Sequence, residues 1–104
     1  IKNVTYRSGD TALFPDAVTT RGNKHLETLI RARSEGYTVC NLYIVQRSDC
    51  VHFAPAREID PQYSKTMERA VGEGVLVIAC MLDVQPEGIR FKGILPFKSK
   101  EGQD

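Results

Sequence analysis

No stretch of this chain is apolar for long enough to cross a bilayer, and no secretory signal pattern is present. A net charge of +1 supplies no global basic field, so any polyanion must meet a local patch. Cysteine is scarce: Cys40, Cys50 and Cys80 are odd in number and form no CxxC, which excludes a disulfide framework. Cys40 and Cys80 lie inside apolar runs and read as reduced core thiols, which fits a cytoplasmic setting. Cys50 and His52 share a polar loop, but two ligands do not make a zinc site. Phosphate-loop and dinucleotide signatures are missing, since Gly72 and Gly74 are separated only by Glu73. No GxSxG, serine–histidine–aspartate arrangement, internal repeat or low-complexity segment occurs.

What is present is ordinary for a soluble fold: 41% hydrophobic and 26% charged residues in 104. That length predicts one domain, residues 1–104. Ile1 to Tyr6 alternates apolar and polar residues and predicts a strand. Arg7 to Asp10 reads as a turn, and Thr11 to Phe14 as a short strand stopped by Pro15 and Asp16. A helix is expected from about Thr20 to Glu35, with Leu26, Leu29, Ile30 and the stem of Arg33 inward. Thr19 or Thr20 would cap it, and Gly36 would end it in a left-handed conformation. Tyr37 to Val45 is nearly continuously apolar, which suits a strand buried on both faces. Gln46 to Glu58 reads as a long irregular connection. Asp60-Pro61 is a specific start signal for a second helix, with Tyr63, Met67, Ala70 and Val71 on its inner face. Val75 to Val84 is another buried strand, and Pro86 to Gly88 turns it into Ile89 to Leu95. The order strand, helix, strand, helix, strand, strand predicts an α/β fold, a mixed sheet with flanking helices.

The densest polar run is FPDAVTTRGNKHL, Phe14 to Leu26, at the start of the first helix. Arg21, Lys24 and His25 beside free helix N–H groups would hold a phosphate. The plainer alternative is a solvated helix face with His25 at the core boundary; on spacing alone it is the commoner arrangement. Lys2 reads as an edge-strand charge. Asp16 reads as a loop cap or, more weakly, as a cation ligand.

IKNVT, LFPDAVTTRGNKHLETL, FAPAREIDPQY, GVLVIAC and PEGI, in that order, resemble the SfsA (sugar fermentation stimulation protein A) family along almost the whole chain. The resemblance implies a bacterial or archaeal cytoplasmic protein roughly twice this length. In it an OB-like barrel precedes a C-terminal domain similar to restriction endonucleases. It also implies DNA as substrate or operator, and a link to regulation of sugar, notably maltose, metabolism. In such nuclease folds a carboxylate precedes Glu-x-Lys on the next strand, and Lys2 matches that lysine. The metal carboxylates would lie upstream of Ile1, so Mg²⁺ or Mn²⁺ is expected only in a longer parent. The 104 residues alone, beginning Ile1-Lys2 without methionine, are then expected to be a catalytically inactive piece. The resemblance makes Lys2 and His25 catalytic candidates and Arg21 and Lys24 nucleic-acid contacts, with Asp16 shaping the metal site or its loop. It tips the balance at the polar junction toward function.

Three readings follow. The parent is a metal-dependent nuclease; or it is a non-enzymatic DNA-binding transcriptional regulator that keeps the nuclease fold; or the domain serves assembly, with a homo-oligomer formed through the edge at Ile1 to Tyr6.

Overall fold

Three β-strands precede the first helix in the computed structural model, which describes residues 2–98. They are β1 (Lys2–Val4), β2 (Tyr6–Ser8) and β3 (Thr11–Phe14). Then come α1 (Thr20–Ser34), β4 (Cys40–Val45), β5 (His52–Pro55), α2 (Pro61–Gly72), β6 (Leu76–Gln85) and β7 (Gly88–Leu95). The strands form two sheets, one four-stranded in the order β1-β4-β6-β7 and one three-stranded in the order β2-β3-β5.

The mixed α/β fold with two helices is as expected. β1, β4 and β6 run parallel, joined through the helices, and β7 returns antiparallel after the turn at Pro86 and Glu87. The N-terminal segment departs from the single expected strand. Thr5 divides it, so β1 joins the large sheet while β2 pairs with β3 in the small one. Arg7 and Ser8 therefore belong to a strand, and only Gly9 and Asp10 turn. The irregular Gln46–Glu58 connection contains β5, which pairs in parallel with β3. Residues 37–39 precede β4 instead of opening it.

The helices end as their sequences require. Gly36 and Gly74 both have φ of +98°, a conformation in which L side chains are strained. Between the helices and the large sheet lies the core. Leu26 of α1 and Tyr63, Met67 and Ala70 of α2 pack with Val4, Tyr43, Val45 and Ala79. Full burial of a side chain such as Leu26 contributes about 1.5–3 kcal/mol. Val71, expected inside, is exposed. Inside the core Asn41 donates to the Tyr43 hydroxyl at 2.9 Å, which lies 2.5 Å from that of Tyr63. Burial pushes the Tyr63 phenol up to about 12.

Among the described residues the large sheet is covered on one face only. The core side carries the pairs Val4–Val45 and Tyr43–Ala79, with Leu95 beyond Ala79. The opposite side carries Leu42–Ile78, Ile44–Cys80, Cys80–Ile94, Leu82–Phe91 and Val84–Ile89. On that side Val84, Ile89, Phe91 and Ile94 are each more than half exposed. The expectation of strands buried on both faces therefore fails, because both helices pack on the same side. The thiols are also redistributed: Cys50 is buried at 3% exposure, Cys80 is half-buried, and Cys40 is exposed. Cys40 opens β4 at the uncovered side, whereas Cys50 sits beneath the start of β5, in the core cluster.

Candidate nucleic-acid interface

The junction Phe14 to Leu26 is built by the two helix starts together. Thr19 is the N-cap of α1, and its hydroxyl accepts from the Gly22 N–H at 3.0 Å. Its own N–H donates to Asp60 Oδ2 at 2.9 Å. Asp60 is the N-cap of α2 and accepts the Tyr63 N–H on Oδ1 at 3.0 Å. One carboxylate, 4% exposed, thus fixes both helix starts. A Cβ at Gly22 would lie 3.0 Å from the Tyr63 ring, so glycine is what allows the close approach. Asn23 and Thr66 add a side-chain bond between the helices at 2.5 Å.

Upon this base the cations are presented. Arg21 and Lys24 are exposed, and neither side chain has a hydrogen bond or ion pair among the described residues. The first turn of α1 contains no acidic residue. Acids are the usual stabilisers there, because the helix start is already electropositive. Of the acids near this helix start, Asp60 is buried and bonded to the Thr19 and Tyr63 N–H groups, and Glu27 is paired with Arg69 of α2. The junction therefore presents two exposed cations that no carboxylate pairs with among the described residues, above the buried Asp60 carboxylate.

Lys2 of β1 acts on His25 of α1 through its charge. Lys2 is half-buried and lies in register with Tyr43, on the core side of the sheet. His25 is exposed, not at the core boundary. Its pKa is lowered first by partial burial and then by the Lys2 ammonium, so the imidazole is held toward its neutral form. Asp16 is exposed on the loop before α1, with no polar partner among the described residues. Among these residues no three His, Cys, Asp or Glu side chains converge on one point. The donors present do not by themselves fit a divalent-cation site.

Two features were not foreseen from the sequence. Asp60 read only as the cap of its own helix, and nothing in the spacing pointed to Thr19, 41 residues away. Arg7 and Arg47 both bind Asp49, at 3.1 and 2.8 Å. The hydrogen-bonded Arg47 guanidinium holds the Asp49 carboxyl far below the usual carboxylate range. Among the described residues no helix is long and apolar enough to cross a membrane.

Residues 1–88 match the family described as "Sugar fermentation stimulation protein RE domain". A sugar fermentation stimulation protein homolog of Synechococcus sp. (strain JA-3-3Ab) is 47% identical over 94 residues, 90% of this chain and 39% of the relative. The Picosynechococcus homolog is 42% identical over 101 residues, 97% of this chain and 40% of its own. Among solved structures, Pyrococcus furiosus SfsA in complex with Ca²⁺ superposes with a TM-score of 0.87 at 27% identity. That match covers 92% of this chain and 42% of the other. The chain thus spans about two fifths of the length of the curated relatives it matches.

Proposed function

Because the chain belongs to the sugar fermentation stimulation protein family, we propose that it is a nucleic-acid-binding domain whose contact surface is the start of α1. The observation that carries this reading is the charge pattern there. Arg21, Lys24 and His25 crowd the electropositive end of a helix whose first turn has no acid. Exposed and unpaired, these cations gain nothing in packing, whereas a phosphodiester would be held by them and by the helix start. Asp60, by tying Thr19 to α2, keeps the cations in one place.

The contribution of these side chains is electrostatic and independent of base sequence, as phosphate contacts by exposed arginine and lysine are, so that sequence preference would come from elsewhere in a longer protein. In the longer proteins of the family it would serve the control of sugar-metabolism genes, maltose genes among them, in the cytoplasm. Cleavage of the bound strand is a second reading, favoured by one observation. Partial burial first, and the Lys2 ammonium second, hold His25 toward its neutral form, the form that accepts a proton. The Pyrococcus furiosus protein is described with Ca²⁺, but the described donors here do not complete a cation site, and no step is derived through one.

The test is an anisotropy titration of the chain with labelled duplex and single strands at several salt concentrations, with Arg21→Gln and Lys24→Gln beside it. Salt-sensitive binding that each substitution weakens supports the reading. Absence of binding at low salt overturns it. Incubating a longer family protein with the same strands, with Mg²⁺, Mn²⁺ or EDTA, decides between a nuclease and a regulator that only binds.

A further inference from the structure

The small sheet turns one face to the core, through Ala12 and Phe53, and its other face to a cleft of about 450 Å³. Register assembles that outer face. Ser8 pairs with Thr11, and Thr11 with His52; Tyr6 pairs with Leu13, and Leu13 with Ala54. The far wall is the loop after β5, with Arg57 and Glu58, together with Lys98.

Only two buried side-chain polar atoms among the described residues lack a hydrogen-bond partner, and both belong to this region. They are Arg57 Nε, on a residue that lines the cleft, and His52 Nδ1, in the row of Thr11. A buried orphan donor is unfavourable and calls for a partner. Arg57 is already anchored: its Nη2 donates to Glu68 at 2.8 Å and to the Lys98 carbonyl at 3.3 Å. The guanidinium is thus held in place while Nε stays unpaired. Tyr6, 39% exposed, and the Ser8 hydroxyl stand opposite.

The chemistry of this cleft is rich in donors and nearly balanced in charge. Arg57 and Lys98 line it beside Glu58, and Glu68 is bonded to Arg57. A dianionic monoester would meet the Glu58 carboxylate. A ligand with one charge and several acceptor oxygens suits it better, and an exposed aromatic ring beside it suits a base. We propose that the cleft takes a phosphodiester group of a nucleic-acid strand, distinct from any held at the start of α1, with Tyr6 stacking on an adjacent unpaired base. This rests on the nucleic-acid reading above and extends its footprint to the outer face of the small sheet.

The experiment uses the chain with labelled single-stranded and duplex oligonucleotides and, separately, inorganic phosphate as competitor. Lys98→Gln and Tyr6→Ala change a half-buried and an exposed group that line the cleft, and unchanged thermal unfolding confirms their fold. Lys98→Gln should lower the slope of log affinity against log salt by about one on both substrates. Tyr6→Ala should weaken single-strand binding by about tenfold and leave duplex binding nearly unchanged. If both variants bind like the parent while Arg21→Gln weakens binding, the cleft assignment fails and the α1 reading stands. If the parent chain binds no oligonucleotide, both fail. Displacement of the strand by inorganic phosphate at similar phosphate concentration, reversed by Lys98→Gln, would make the cleft a free-phosphate site and overturn the proposal.

Discussion

Asp60 accepts the backbone N–H of Thr19 at 2.9 Å, so the cap of the second helix also positions the cap of the first. The carboxylate is 4% exposed, and its other oxygen is occupied by Tyr63 N–H. Asp60→Ala would leave two N–H groups short of partners and remove a helix cap. The expected loss is about 2–4 kcal/mol of unfolding free energy, read from urea denaturation. Asp60→Asn keeps one acceptor oxygen and should recover roughly half of it. A loss under about 0.5 kcal/mol in Asp60→Ala would show that the shared cap is not what holds the helix starts.

Gly22 gives a sign test. In an open helix, Gly→Ala gains up to about 1 kcal/mol from propensity. Here the added Cβ would lie 2.9 Å from Thr19 Cγ2 and 3.0 Å from the Tyr63 ring. Overpacking of this kind costs about 1–3 kcal/mol, so Gly22→Ala should destabilise. A variant with a higher melting temperature than the parent would show that the helices can move apart freely at this point.

His25 titrates below its ordinary value of 6.5, from burial first and the Lys2 ammonium second. Lys2→Met should therefore move the His25 midpoint upward in an NMR titration. The stability sign follows from the depressed value. The unfolded chain takes up the proton first, so stability is complete above about pH 6.5 and declines as the pH falls below it. His25→Gln should flatten that part of the profile. A His25 midpoint that does not respond to Lys2→Met would separate the two residues.

The thiols should react in the order of their exposure. Cys40 is open, whereas Cys50 is buried and its pKa is raised, chiefly by burial. Maleimide should label Cys40 at least about tenfold faster than Cys50 under native conditions. Equal rates would remove Cys50 from the core.

Much of the fold was legible because local chemistry decided it. Asp60-Pro61 starts α2, Gly36 and Gly74 stop their helices, and the apolar runs form neighbouring parallel strands. β5 was not legible, because four residues ending in proline carry too little periodicity, and parallel pairing with β3 is what makes HFAP a strand. The break at Thr5 was hidden for a related reason. An alternating pattern cannot say that its two halves belong to different sheets. Cys40 misled because an apolar run does not reveal which of its ends the fold leaves uncovered, and Val71 because helical spacing does not fix how far round the helix the covered face extends. At the polar junction the residue types were visible, but the pairing of Thr19 with Asp60 depends on how the helices cross.

The uncovered side of the large sheet bears on how the protein behaves as a colloid. Val84, Ile89, Phe91 and Ile94 face solvent together on a molecule whose net charge at pH 7 is only +1. Charge repulsion is the force that keeps such a surface from meeting its copies, and here it vanishes near the isoelectric point of about 7.9. Mildly alkaline buffer, where many proteins are handled, is where this one should precipitate first. Sulfate should sharpen the effect, and a single acidic substitution at Phe91 should relieve it by changing both the surface and the charge.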